Sequence, residues 1–167
     1  MKSHNKILLL LLSTAVLLVN SAVVVNQLTG ISDQNLVYSG TIPISATNNL
    51  FFTYYGVDNQ KDQAALKNYP LLVVVGSPGS SAQYLSLSAL GPLKLANDMT
   101  LTANPNKLTQ WVSVMFLDLL GSGFSFAASP NDIPTDAKTF GTQVTTAINA
   151  LIKESSLGAS QTIILAG

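Results

Sequence analysis

A continuous apolar run, Pro70–Val75 (PLLVVV), and a second, largely apolar one, Trp111–Leu119 (WVSVMFLDL), constrain this chain more than any other feature. Each stops at a glycine-rich turn, Gly76-Ser77-Pro78-Gly79 after the first and Gly121-Ser122-Gly123 after the second. A strand that is apolar throughout has no face to turn toward water, so it belongs inside a sheet covered on both sides.

The rest of the pattern supplies the cover. Val37–Ser45 alternates and contains Gly and Pro, as an edge strand can. Ala46-Thr47-Asn48-Asn49 is a turn, and Leu50–Val57 is an aromatic strand completing a hairpin. Asp58–Asn68 is a polar connection with room for one helical turn. Ser80 or Ser81 is placed to cap a short helix reaching Leu90. Thr135 is the expected N-cap of a longer helix, with Asp136 in the first turn, and Pro130 and Pro134 mark the loop before it. Phe140, Val144, Ala147, Ile148, Leu151 and Ile152 recur at helical spacing, and Gly158 ends the element. Thr162–Leu165 reads as a last short buried strand. A hairpin followed by buried strands alternating with helices predicts a three-layer α/β sheet. Nothing follows to cover the last strand's far edge, so the domain reads as interrupted, with Val73, Phe116 and Ile164 on incompletely covered strands.

The first 21 residues read as a secretory signal peptide. Lys2, His4 and Lys6 precede an apolar stretch from Ile7 to Val19, and Val19-Asn20-Ser21-Ala22 offers cleavage after Ser21 or Ala22. The alternative is an uncleaved anchor, but Asn20 and Ser21 interrupt the apolar stretch before the roughly 20 residues that a span needs. No later segment resembles a membrane span. Residues 22–167 then carry six lysines, no arginine and eight acidic residues. Mild acidity without arginine argues against nucleic acid, whose phosphates demand clustered cations. The chain has no cysteine and its one histidine, His4, lies in the leader. Disulfides, thiolate catalysis and Cys-based zinc sites are excluded together, and no metal or cofactor is expected.

The candidate motifs fail one by one on context. Gly121-Ser122-Gly123 lacks the next glycine of a dinucleotide fingerprint, since Phe126 stands there. Gly76–Ser81 lacks the Gly-Lys-Ser/Thr ending of a P-loop. Gly123-Phe124-Ser125-Phe126-Ala127 approaches a nucleophile elbow, but a loop with two prolines follows where a helix must begin. Ser125 therefore reads as a turn residue. Asp58, Asp62, Asp132 and Asp136 read as solvated or capping groups, and Asp118, closing an apolar strand, as a partly buried structural one.

Taken in order, the segments carry a resemblance. PLLVVVGSPGSS resembles the strand and loop of serine carboxypeptidases, where Asn-Gly-Gly-Pro-Gly-Cys-Ser-Ser follows the third strand. ALGPLKL, LTANP and VMFLDLLGSGFSF resemble the family's Glu-Leu-Gly-Pro, Asn-Pro and Phe-Leu-Asp…Gly-x-Gly-Phe-Ser-Tyr landmarks in sequence. VYSGTIPI with NLFFTYY resembles the opening hairpin, and TIILAG resembles the strand that enters Gly-Glu-Ser-Tyr-Ala-Gly. The match covers about 130 residues, and its order makes it more specific than any one motif.

The resemblance implies an α/β-hydrolase fold, of which residues 22–167 form the N-terminal part. It aligns Gly167 with the first glycine of the nucleophile elbow, so serine, acid and histidine of a triad are all expected outside this chain. It assigns Gly76, Ser77 and Gly79 to an oxyanion and substrate loop, with Ser77 at the position of the glycine that donates its backbone N–H. Three positions depart from the family. Ser77 replaces that glycine, Ser80 replaces the cysteine, and Val75 replaces the asparagine that helps hold a C-terminal carboxylate. The implied activity is serine carboxypeptidase action on peptide or protein C-termini, in the secretory pathway, with the product secreted or vacuolar/lysosomal. The departures leave open a non-catalytic secreted binding protein, or an acyltransferase or other hydrolase on the same scaffold.

Overall fold

The structure, a computed structural model, describes residues 23–24, 36–154 and 162–167. The leader, its cleavage point and Gly158 lie outside the described residues. Six strands form one mixed sheet: β1 (Val23–Val24), β2 (Val37–Pro43), β3 (Asn49–Tyr55), β4 (Leu71–Val75), β7 (Ser113–Leu117) and β8 (Ile163–Ala166). Their spatial order is β1-β2-β3-β7-β4-β8. β2, β3 and β7 pair antiparallel in succession, whereas β4 runs parallel to both β7 and β8. The two apolar runs are therefore neighbours at the centre, as an all-apolar sequence requires.

Alternation along the strands sorts side chains onto two covered faces. Leu50, Phe52, Tyr54, Leu71, Val73, Met115 and Leu117 pack on one face with Ala147 and Leu151 of the long helix α3 (Ala137–Glu154). Tyr55, Val74, Val114 and Phe116 pack on the other with Ala82, at the start of α2 (Ala82–Leu85), and with Leu85 and Leu90. Burying each large apolar side chain stabilises the fold by roughly 1.5–3 kcal/mol. The three-layer α/β expectation holds.

Several details differ from the reading of the sequence. Val73 and Phe116 are fully buried, because α3 and α2 already lie on their respective faces. The strand at Ile163–Ala166 is the one left open: Ile164 is 45% and Leu165 56% exposed. That overturns its reading as a buried strand, since among the described residues it pairs with β4 alone. Trp111 is 74% exposed because it leaves a 3-10 turn (Leu108–Gln110) before β7 begins. β2 is not a bare edge, as β1 pairs with Ser39 and Tyr38. Ile152 sits outside the buried helix face. A small hairpin, β5 (Leu93–Leu95) with β6 (Leu101–Ala103), was not anticipated.

The long helix is capped by Asp136 rather than Thr135. The Asp136 carboxylate accepts from the Thr139 backbone N–H at 3.0 Å and from the Thr139 hydroxyl at 2.7 Å. Those bonds hold its carboxyl below the ordinary value of 3.8. A lowered folded value means that the cap is intact above the ordinary carboxylate range and fails as pH falls through the folded value. Protection of the first-turn amides of α3, meaning observed exchange set against the intrinsic rate at the same pH, is therefore expected to fall as the pH drops below 3.8. Asp136→Asn should remove that pH step, and a step that persisted in the variant would show that another group caps the helix.

Candidate active-site loop and its anchor

The loop after β4 is built by its glycines. Ser77 C=O accepts from Ser80 N–H at 2.9 Å, Pro78 occupies the second position, and Gly79 the third with φ +76°. That is the arrangement of a type II turn, which needs glycine at the third position. Gly76 is required by packing: a Cβ there would lie 2.7 Å from the Ser80 carbonyl oxygen and 2.9 Å from the Ala82 nitrogen. The Gly76 N–H is used by the sheet, donating to Leu117 C=O at 2.9 Å. Ser77 and Pro78 face solvent. The candidate residues Gly76, Ser77 and Gly79 thus stand together at the carboxyl end of a parallel strand, where α/β sheets place their ligands.

Val75 is half-buried and packs against the core under α3. Gly167 lies beside it, with a Cβ built there falling 3.6 Å from Val75 Cβ. The ends of β4 and β8, and the loop between β4 and α2, therefore converge on one edge of the sheet.

Behind the loop stands Asp118, which is fully buried. Its Oδ1 accepts from Ser81 Oγ at 2.8 Å and from the Ala82 N–H at 2.7 Å, and its Oδ2 accepts from the Phe124 N–H at 3.1 Å. Ser81 also caps α2 by accepting from Gln83 N–H, resolving the choice between Ser80 and Ser81. One carboxylate thus ties the segment after the first apolar run to the glycine-rich turn after the second. Gly123 has φ +54°, and a Cβ there would overlap the Asp118 carboxylate. The sequence marks Asp118 as structural, and the three donors bear that out.

Ser125 is likewise structural. Its hydroxyl donates to Asp118 C=O at 2.8 Å and accepts from Phe51 N–H at 2.8 Å, stitching the turn to β3. Asn104, in LTANP, donates to both Ala89 C=O and Gly91 C=O at 2.8 Å, so two of the sequence landmarks are physically joined. Asp62 caps the short helix α1 (Gln63–Leu66), and Asp132 closes a capping box with Ser129. Asp58 departs from the solvated reading: it pairs with Lys107 at 2.8 Å, a contact between residues 49 apart that spacing alone does not signal. Among the described residues no three potential ligands gather to hold a metal ion, and no helix is long and apolar enough to cross a membrane.

A mixed sheet with helices on both faces, and a glycine-built turn at the end of a central parallel strand, defines an α/β hydrolase architecture. The serine carboxypeptidase profile matches residues 30–167, and the chain belongs to that family. It is 32% identical over 119 residues to the pheromone-processing carboxypeptidase kex1 of Schizosaccharomyces japonicus, covering 71% of this chain and 22% of that protein. It is 33% identical over 105 residues to serine carboxypeptidase-like 50 of Arabidopsis thaliana, covering 60% of this chain and 23% of that protein. The crystal structure of Kex1(delta)p, a prohormone-processing carboxypeptidase from Saccharomyces cerevisiae, superposes with a TM-score of 0.69 at 20% identity, covering 87% of this chain and 34% of that one. The chain thus spans about a fifth of the length of these curated relatives.

Proposed function

We propose that this protein serves serine carboxypeptidase chemistry on peptide or protein C-termini, and that these 167 residues contribute the sheet and the oxyanion-side loop rather than a working triad. The observation that carries this reading is the placement of Val75, at the root of the Gly76–Gly79 loop, beside Gly167, with Asp118 holding Ser81 and Ala82 where that loop ends. In this reading the backbone N–H of Ser77, an exposed residue, serves as a donor to the oxygen that becomes an oxyanion when a carbonyl is attacked. Such a donor contributes about 3 kcal/mol to the transition state in a complete site. The attacking serine and its base come from polypeptide following Gly167. A serine hydroxyl is a poor nucleophile at neutral pH without a base, and the chain's one histidine is in the leader. Residues 1–21 act as a removed signal peptide, residues 22–167 as part of the hydrolase domain, and the product enters the secretory pathway to be secreted or delivered to a vacuole or lysosome.

The purified chain is expected to release no C-terminal residue from a blocked dipeptide and to take no label from a fluorophosphonate. A polypeptide extended through the codons beyond Gly167 should do both. Cleavage by the 167-residue chain itself, or an extended form that takes no label, would overturn the reading.

Val75 favours a second reading. Its side chain is apolar and turned into the core, so it offers a substrate carboxylate no hydrogen bond. A peptide-binding protein without activity, or an acyltransferase or other hydrolase on this scaffold, would meet that condition. Labelling of the extended form with acyl transfer to an alcohol, and no release of C-terminal residues, would select the acyltransferase.

A further inference from the structure

On the sheet face opposite α3, away from the active-site loop, lies a pocket of about 330 Å³. Its walls are Phe51, Tyr55, Leu87, Leu93, Leu101 and Phe124, contributed by β3, the helical turn after α2, the β5–β6 hairpin and the glycine-rich turn. Among the described residues lining it none is charged, and none belongs to Gly76–Gly79. An apolar cavity of about 150 Å³ is enough to hold benzene, so this one has room for a substituted ring.

Two features separate it from a mere packing defect. Ser39 and Thr53, direct partners across β2 and β3, both line it, and neither hydroxyl is engaged by another described residue. The neighbouring hydroxyl, by contrast, is satisfied: Ser86 donates to Tyr55 Oη at 3.2 Å. Two hydroxyls without a partner among the described residues, set in an apolar wall, match the composition of a ligand pocket, in which few polar groups orient a largely apolar guest. At the rim, Phe124 is 71% exposed and tilts against Phe51 at 5.1 Å between ring centroids. That ring borders the mouth of the pocket, and its backbone N–H is held by Asp118.

We propose that this pocket binds a neutral, ring-sized amphiphile, with its apolar body against Phe51, Leu87 and Phe124 and a single hydroxyl or carbonyl group on Ser39 and Thr53. A charged guest would give up its hydration with no counter-charge in the walls. The site is independent of the peptidase reading and is tested without any activity.

The test is ligand-observed NMR titration of the full chain with benzyl alcohol, toluene and benzoate. Benzyl alcohol should bind saturably in the low-millimolar range, toluene roughly fivefold more weakly for want of the hydrogen bond, and benzoate not at all. Ser39→Ala with Thr53→Val should abolish the preference for the alcohol while retaining toluene binding. Leu87→Trp, which fills the pocket, should abolish both. Absence of saturable binding, equal affinity for benzoate, a preference that survives loss of both hydroxyls, or binding unchanged by Leu87→Trp would each overturn the proposal. The double variant replaces half-buried hydroxyls with groups of similar size, so it remains informative should the tryptophan variant fail to fold.

Discussion

Asp118→Ala is expected to lower the unfolding free energy by about 3 to 4 kcal/mol, a large fraction of the stability of a single domain. The carboxylate is fully buried and satisfies the Ser81 hydroxyl and the backbone N–H groups of Ala82 and Phe124. Alanine leaves the buried Ala82 N–H without an acceptor and takes the acceptor from the part-buried Ser81 hydroxyl and Phe124 N–H. Asp118→Asn keeps the shape and one acceptor oxygen but turns an amide donor toward another donor, and should cost about 2 kcal/mol. Urea unfolding of the three proteins measures this directly. An alanine variant within about 1 kcal/mol of the parent would mean that Asp118 does not hold the two turns together.

Gly123→Ala tests the same anchor from the other side, and its effect depends on Asp118. At φ +54° any side chain is strained by about 1 kcal/mol, and here the new Cβ would also overlap the carboxylate. We expect about 3 kcal/mol in the parent but only about 1 kcal/mol in the Asp118→Ala background, where the carboxylate is gone. The coupling, about 2 kcal/mol, is read from a double-mutant cycle. Effects that add to within about 0.5 kcal/mol would show that Gly123 is required for its backbone conformation alone.

These two residues also explain why so much of the fold is legible in the sequence. The central strands are legible because burial on both faces forces an unbroken apolar string at Leu71–Val75 and Val114–Leu117. The landmarks are legible because they are where the chain is pinned. Asp118 joins GSPGSS to the GSGF turn, and Asn104 joins LTANP to ALGP. Substitutions there disturb two segments at once. What was not legible lacks such a local signature. The β5–β6 hairpin is three residues per strand and partly exposed, too short to show a period. The Asp58–Lys107 pair, and the meeting of Ser39 with Phe124 around one pocket, are made by the tertiary fold. Asp136 displaced Thr135 as the cap because both can accept at a helix start, and geometry at the Thr139 N–H decides between them.

The exposed flank of β8 has a consequence for handling. Among the described residues no strand pairs with β8 on its side away from β4, so its backbone donors and acceptors there suit an added extended segment, with Ile164 and Leu165 as apolar grip. Where that flank stays uncovered, association starts there without prior melting of the core. Dilution and short strand-mimicking peptides, more than cooling, govern how long the protein stays dispersed.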